Sequence, residues 1–197
     1  MIQTTPSRWG TIVRLTRLPA SPVGLPYQPS LLRLLHGATA VGVSATWITG
    51  LMVYNQHDGR WGRLPWHWSA PWIDLHGSAG VLLWPVALLF GLYALSLGRR
   101  RLRQPGNAAA LLALGLAVGS GKLMQEDWLR RGELQHLVIS LHLLGWLLLS
   151  AMVLWHLAAV LQRGGPALAA SMLSLRCRPS DTWRDWPAQL RRALPWR

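Results

Sequence analysis

Residues 137–162 read LVISLHLLGWLLLSAMVLWHLAAVLQ, an apolar run long enough to cross the hydrocarbon core of a membrane as one helix. Two histidines, His142 and His156, stand fourteen residues apart within it. At about 1.5 Å rise per residue the two rings lie about 21 Å apart along the axis, and fourteen residues make nearly four turns. Both rings therefore point to roughly the same face. Because an ionisable side chain in an apolar span indicates a functional site, this helix is expected to offer one imidazole near each membrane surface.

Three more apolar stretches complete the expected fold. The four predicted spans are residues 31–54, 72–97, 107–124 and 137–162. Pro85 falls in the second and is expected to kink it, which membrane helices tolerate. The sequence thus predicts an all-α, integral membrane four-helix bundle. The expected organisation is an N-terminal extension (1–30), a four-helix core (31–162) and a basic amphipathic tail (163–197).

Composition supports a membrane protein. The chain of 197 residues is 51% hydrophobic, yet it carries a formal net charge of +13. This combination is unusual for a soluble globule and suits a protein whose charges are sorted to its ends. A nucleic-acid-binding protein would need a polar domain with a basic face, and none is visible.

The distribution of charge predicts the topology. With both termini and the 99–103 loop on one side, that side carries fifteen arginines against two aspartates, whereas the other side carries five basic and five acidic residues. The positive-inside rule then places both termini in the cytoplasm. No cleavable signal peptide is expected, because no uninterrupted apolar run follows the early arginines. The single cysteine, Cys177, excludes an intramolecular disulfide and an all-cysteine iron–sulfur cluster, and it is expected to be a thiol in the tail.

Four histidines fall inside the predicted spans, and their depths pair them. His36 lies near the cytoplasmic start of the first span, and His156 near the cytoplasmic end of the fourth. His76 and His142 lie near the outer starts of the second and fourth spans. The expected pairs are therefore His36 with His156 inside and His76 with His142 outside.

Paired imidazoles on facing helices suit the axial ligation of a haem. Small residues near the predicted ligands would give room for the macrocycle, although close helix packing explains any one of them equally well. They are Gly37, Ala38, Gly42, Gly77, Gly80 and Gly145. Arg33, one turn before His36, is the expected cation for a haem propionate inside, with Arg63 and Lys122 as weaker candidates outside. The alternative for each is a snorkelling or topology-setting charge.

Other polar and aromatic residues receive simpler interpretations. His57, His67 and His136 are expected in or beside outer loops, with His136 as the one rival to His142 as a ligand. Zinc is disfavoured because the two pairs are about 20 Å apart and lack carboxylate or thiolate partners. The outer tryptophans are interpreted as an interfacial belt, and the alternative is a docking surface or the lid of a quinone site. They are Trp61, Trp66, Trp68 and Trp72.

Three stretches resemble the group of bacterial cytochrome b561, the cytochrome b subunit of nickel–iron hydrogenases and the gamma subunit of formate dehydrogenases. RLLHGATAVGVSATWITGL (33–51) resembles the first helix, with His36 and a Thr-Gly pair. DLHGSAGVLLWPVALLFGLYALSLGRRR (74–101) resembles the second, with His76, and HLLGWLLLSAMVLWH (142–156) resembles the fourth. The resemblance covers roughly residues 31–162. Gly37 stands where the group often has an aromatic residue, and the third span is short, with Lys122 near its end.

The resemblance implies two b-type haems in a four-helix core. It assigns His36, His76, His142 and His156 as the axial iron ligands, and it implies electron transfer between a quinone pool and a redox partner protein. The chain is thus expected to be a respiratory electron-transport protein without substrate chemistry of its own, and no catalytic residue is expected. The expected location is the bacterial inner membrane, or a thylakoid-type internal membrane.

Two other functions stay open. The chain could be a small anchor or assembly subunit of a larger respiratory or photosynthetic complex, with haem structural or absent. The terminal extensions and the outer tryptophans motivate that alternative. A metal or proton transporter is less expected, because transport needs a polar route and the residues between His142 and His156 are nearly all apolar.

Overall fold

The computed structural model describes residues 28–66, 68–125, 133–174 and 176–193. Most of these residues are helical, with no β-strand among them. The main helices are α1 (Ser30–Val53), α2 (Trp72–Leu95), α3 (Pro105–Leu123), α4 (Glu133–Leu173) and α5 (Trp186–Ala193). The all-α fold expected from the sequence is confirmed. The N-terminal extension up to residue 27, His67, residues 126–132, Leu175 and residues 194–197 lie outside the described residues.

Four of these helices are long and apolar enough to cross a membrane. Large apolar side chains on their outer faces are strongly exposed, which is the pattern of helices surrounded by lipid rather than water. One such side chain from each of the four helices is found among Val41, Leu82, Leu112 and Leu154. These apolar helices indicate a multi-pass membrane protein.

The bundle consists of two helical hairpins packed side by side. α1 packs mainly against α2, and α3 mainly against α4. The central core joins α2, α3 and α4 through Leu83, Leu114 and Leu149, together with two small alanines. Gly145 allows close approach of α4 to α3, since a Cβ atom there would lie 3.1 Å from the main chain of Ala117.

Two helix ends differ from the prediction. α4 begins at Glu133 rather than at residue 137, so that His136 lies exposed in its first turn and not in a loop. It also continues past residue 162 to Leu173, with one break at Gly165, where φ is 61°. Only glycine adopts this conformation without strain, and the proline that follows suits the start of a new helical turn.

The C-terminal end of α1 widens into a π-helical turn, Tyr54–Asp58, which leads into the loop beyond it. The buried Asn55 side chain accepts a hydrogen bond from the N–H of Leu64 and donates one to the carbonyl of Trp66. The Tyr54 hydroxyl accepts the N–H of Trp61. The loop carrying the outer tryptophans is therefore held to α1 by specific polar contacts.

The tail folds back onto the opposite end of the bundle. Asp181 accepts hydrogen bonds from the N–H and the hydroxyl of Ser30, and so caps the start of α1. Burial would raise the pKa of Asp181, but these bonds, one from Gln189 and the charge of Arg33 together hold it below its usual value. Trp186 of α5 donates to the Ser30 hydroxyl and packs on the adjoining apolar cluster. The tail thus covers the end of α1 next to His36.

Candidate functional site

The structure brings the four histidines of the spans together as the two expected pairs. His36 of α1 and His156 of α4 have ring centroids 6.2 Å apart, and His76 of α2 and His142 of α4 have centroids 6.0 Å apart. We name them the inner pair and the outer pair. His136 and His57 are exposed and belong to neither. The spatial pairing follows the depth argument, while the role of these rings as ligands stays a prediction.

The spacing within each pair fits two imidazoles that share one metal ion. A metal–imidazole bond is about 2 Å long, and the ring centroid lies about 1 Å behind the nitrogen. Two rings on opposite sides of one ion therefore have centroids about 6 Å apart, as in both pairs. Within the described residues no group of three or more potential ligands surrounds a common point. The donor set is thus two nitrogens per site, which suits a haem, whose ring supplies the other four nitrogens.

A cavity of about 280 Å³ adjoins the outer pair. Its walls include both rings, the glycines of α2 and stacked tryptophans, and they are mainly apolar, which suits a macrocycle. The residues of interest are His76, His142, Gly77, Gly80, Trp47 and Trp146. A Cβ atom at either glycine would meet nothing within 4 Å. The glycines therefore leave open space beside the imidazoles.

Only some of the small residues that were expected to make room for a macrocycle border the cavity. Gly77 and Gly80 border the cavity. Gly42 instead faces Leu83, with 2.9 Å between its would-be Cβ and the nearest side-chain atom, and Gly145 lies against α3. These two serve helix packing. Gly37 has open space around it, and Ala38 is exposed.

Each ring of the outer pair is held by a hydroxyl from the neighbouring helix. Nδ1 of His76 lies 3.2 Å from Oγ1 of Thr49 on α1. Nδ1 of His142 lies 3.0 Å from Oγ of Ser120 on α3. From the sequence, Thr49 was apparent only as part of a motif, and Ser120 was missed. The signal that could have found Ser120 is a hydroxyl in a mostly apolar stretch, and in the fold this side chain is 2% exposed.

The inner pair has different surroundings. His36 meets the ring of Phe90 edge-on at 5.9 Å, and its Nδ1 is buried without a hydrogen-bond partner in the described part of the chain. A buried polar atom without a partner is costly in an apolar setting, so the inner pair differs from the outer pair in lacking a hydroxyl at this nitrogen among the described residues.

The three basic residues that were expected near haem propionates differ in their contacts. Arg33 is buried and donates to the carbonyls of Gln28 and Arg176, but its Nε has no hydrogen-bond partner among the described residues. Lys122 lines the outer cavity beside Gln125. Arg63 packs over Gly59 in the loop and does not line that cavity. Lys122 is therefore the better-placed outer cation, and Arg33 keeps one donor for a ligand.

Filling the outer cavity tests whether it holds a cofactor. Gly80→Leu places a side chain in the open space beside His76 and is expected to halve the haem content of the purified protein, because only the outer site is obstructed. The haem-to-protein ratio measures this. Gly115→Leu on α3 is the matched control, since a Cβ at Gly115 also meets nothing within 4 Å but lies outside the cavity. Unchanged haem content in Gly80→Leu contradicts the assignment of the cavity.

Comparison with known proteins does not assign the chain to a family. No protein family matches the chain, and neither a curated protein nor a solved structure shows significant similarity to it. The function must therefore be inferred from the two imidazole pairs, the cavity and the apolar helices that carry them.

Proposed function

We propose that the chain is a di-haem b-type membrane cytochrome that transfers electrons between a quinone pool and a redox partner protein. The observation that carries the proposal is the repeated spacing of two histidine pairs, 6.0 and 6.2 Å between centroids, at two levels of one four-helix bundle. A single imidazole in an apolar bundle commonly serves helix packing. Two pairs with the same ligand-like spacing, each including a ring of α4, support a role as ligands.

Each protein group has a defined task in this proposal. His36 and His156 would hold the inner haem, and His76 and His142 the outer one. Lys122 and Arg33 would neutralise propionates, because Lys122 lines the outer cavity and Arg33 precedes His36 by one helical turn. Haem, when bound, supplies one-electron chemistry at its iron. The apolar helix faces exclude water, and α4 keeps the two sites about 21 Å apart along its axis.

The partners are inferred from chemistry and from the sequence resemblance to the cytochrome b561 group. One-electron carriers in a membrane exchange electrons with lipid-soluble quinones or with proteins that dock at the surface. The outer loop offers a surface of the second kind, since Trp61 is 56% exposed and stacks on Tyr54, which in turn stacks on Trp146 of the cavity wall. A partner at this loop would therefore lie close to the outer site.

The proposed setting is the bacterial inner membrane, with both termini in the cytoplasm. Support comes from the arginines at the end of the bundle where α1 starts and the tail folds back. This end also carries the 99–103 turn, which joins α2 to α3 and contains four arginines. Segments rich in arginine remain on the cytoplasmic side during insertion. A thylakoid-type internal membrane is the alternative location.

The orientation can be tested through Cys177, which is the only cysteine of the chain and is exposed. A membrane-impermeant maleimide is expected to label Cys177 in inverted membrane vesicles and to leave it unlabelled in intact spheroplasts. The control is Ser69→Cys in a Cys177→Ala background, which should show the opposite pattern because residue 69 lies in the outer loop. Labelling of Cys177 in intact spheroplasts would reverse the proposed topology.

Replacing one ligand of each pair tests the proposal directly. His142→Ala is expected to remove the outer haem and His36→Ala the inner haem, so that a redox titration of each variant shows one of the two wild-type components, and a different one in each. His57→Ala is the control, since His57 is exposed and unpaired with another ring. Loss of the same component from both variants contradicts the pairing.

A further inference from the structure

The two rings of the outer pair are supported in the same way on opposite sides of the bundle. On α1, Thr49 is followed by Gly50, and on α3, Ser120 is followed by Gly121. Each dipeptide places a hydroxyl at Nδ1 of a histidine. Each also places a glycine at Cε1 of the same ring, where an added Cβ would lie 3.0 Å from His76 and 3.1 Å from His142. We call these dipeptides the hydroxyl–glycine supports.

The direction of the hydrogen bond at Thr49 follows from its other contacts. The hydroxyl has a single proton, and it already donates to the carbonyl of Ala45, 2.8 Å away on its own helix, with the carbonyl of Thr46 as a second acceptor at 3.3 Å. Carbonyl groups only accept. Donation to Ala45, the shorter of these contacts, leaves Oγ1 as the acceptor towards His76, and with this assignment Nδ1 of the ring carries the proton.

The same reasoning applies to Ser120. Its hydroxyl donates to the carbonyl of Leu116 at 2.6 Å, with the carbonyl of Ala117 at 3.1 Å. Oγ is then an acceptor for Nδ1–H of His142 at 3.0 Å. With Nδ1 protonated, the neutral ring has its lone pair at Nε2, which is the atom that binds a metal. With these donations assigned, both rings of the outer pair adopt the tautomer that ligation through Nε2 requires.

We propose that Thr49–Gly50 and Ser120–Gly121 are positioning elements that present Nε2 of His76 and His142 to the iron of the outer haem and make both imidazoles stronger electron donors. This inference rests on the proposed function. A ligand imidazole that donates its other N–H becomes more basic, and a more basic ligand favours ferric over ferrous iron. The two hydroxyls therefore lower the midpoint potential of the outer haem. His36 of the inner pair has no such partner among the described residues.

The glycines complete the support because they set the position of the ring. With 3.0 to 3.1 Å to Cε1, neither Gly50 nor Gly121 can accept a methyl group unless the imidazole shifts. Gly121→Ala is therefore expected to change the orientation of His142 while leaving the hydroxyl in place. Gly119→Ala is the matched control on the same helix, because a Cβ there meets nothing within 4 Å.

The experiment is a redox titration of the purified full-length protein in detergent, combined with EPR of its ferric form. Thr49→Val and Ser120→Ala are compared with the hydroxyl-retaining Thr49→Ser and Ser120→Thr. Thr39→Val is the control, since its hydroxyl bonds only the carbonyl of Leu35. For the outer haem in Thr49→Val and Ser120→Ala, we expect at least a tenfold increase in the ratio of reduced to oxidised iron at a fixed potential, which is about 59 mV for one electron.

The EPR signal of the outer haem reports ring orientation. This signal is expected to change in Thr49→Val, Ser120→Ala and Gly121→Ala. It is expected to stay as in the wild type in Thr49→Ser and in the controls Thr39→Val and Gly119→Ala. Selective loss of the outer haem from Thr49→Val, with retention in Thr49→Ser, also supports the proposal. Wild-type potentials and spectra in both Thr49→Val and Ser120→Ala overturn the proposal. Changes in potential and spectrum of the same size in Thr49→Ser and in Thr39→Val overturn it as well. Absence of haem from the wild type refutes the proposed function, and this inference with it.

Discussion

The placement of four imidazole rings within apolar helices is the main physical constraint on this bundle. An imidazole in an apolar span needs a partner, because a polar ring without one is costly in hydrocarbon. α4 supplies one ring to each pair, so α1 and α2 must both face it, each at the correct depth. The glycines that face Leu83 and Ala117 then allow the helices to approach closely. Helix packing and the two candidate sites are therefore determined together.

The polar contacts of the histidine rings differ between the two ends of the bundle. At the outer end the rings of His76 and His142 are tied to hydroxyls and border a cavity. At the inner end a tail segment caps α1 through Asp181, Arg33 is engaged by main-chain carbonyls, and a buried nitrogen of His36 is left without a partner. Among the described residues, the outer pair thus has more polar contacts than the inner pair.

The sequence alone predicted the parts that depend on hydropathy and helical period. The four spans and the depth of each histidine follow from apolar length and the rise of a helix. The start of α4 at Glu133 was missed because its first turn is polar, and polarity cannot distinguish a loop from an exposed turn. The contact of Ser120 with His142 depends on the rotation of α3 about its axis. Its apolar surface has no dominant face, so only the three-dimensional packing shows which residues α3 turns towards α4.

The number of haems bound per chain tests the central claim most directly. The purified wild-type protein, analysed for protoporphyrin iron and for polypeptide, should contain two b-type haems per chain, because the bundle offers two histidine pairs with ligand-like spacing. A ratio of two, with low-spin ferric signals from both, is the predicted result. A protein that folds and inserts into the membrane without any haem would contradict the account.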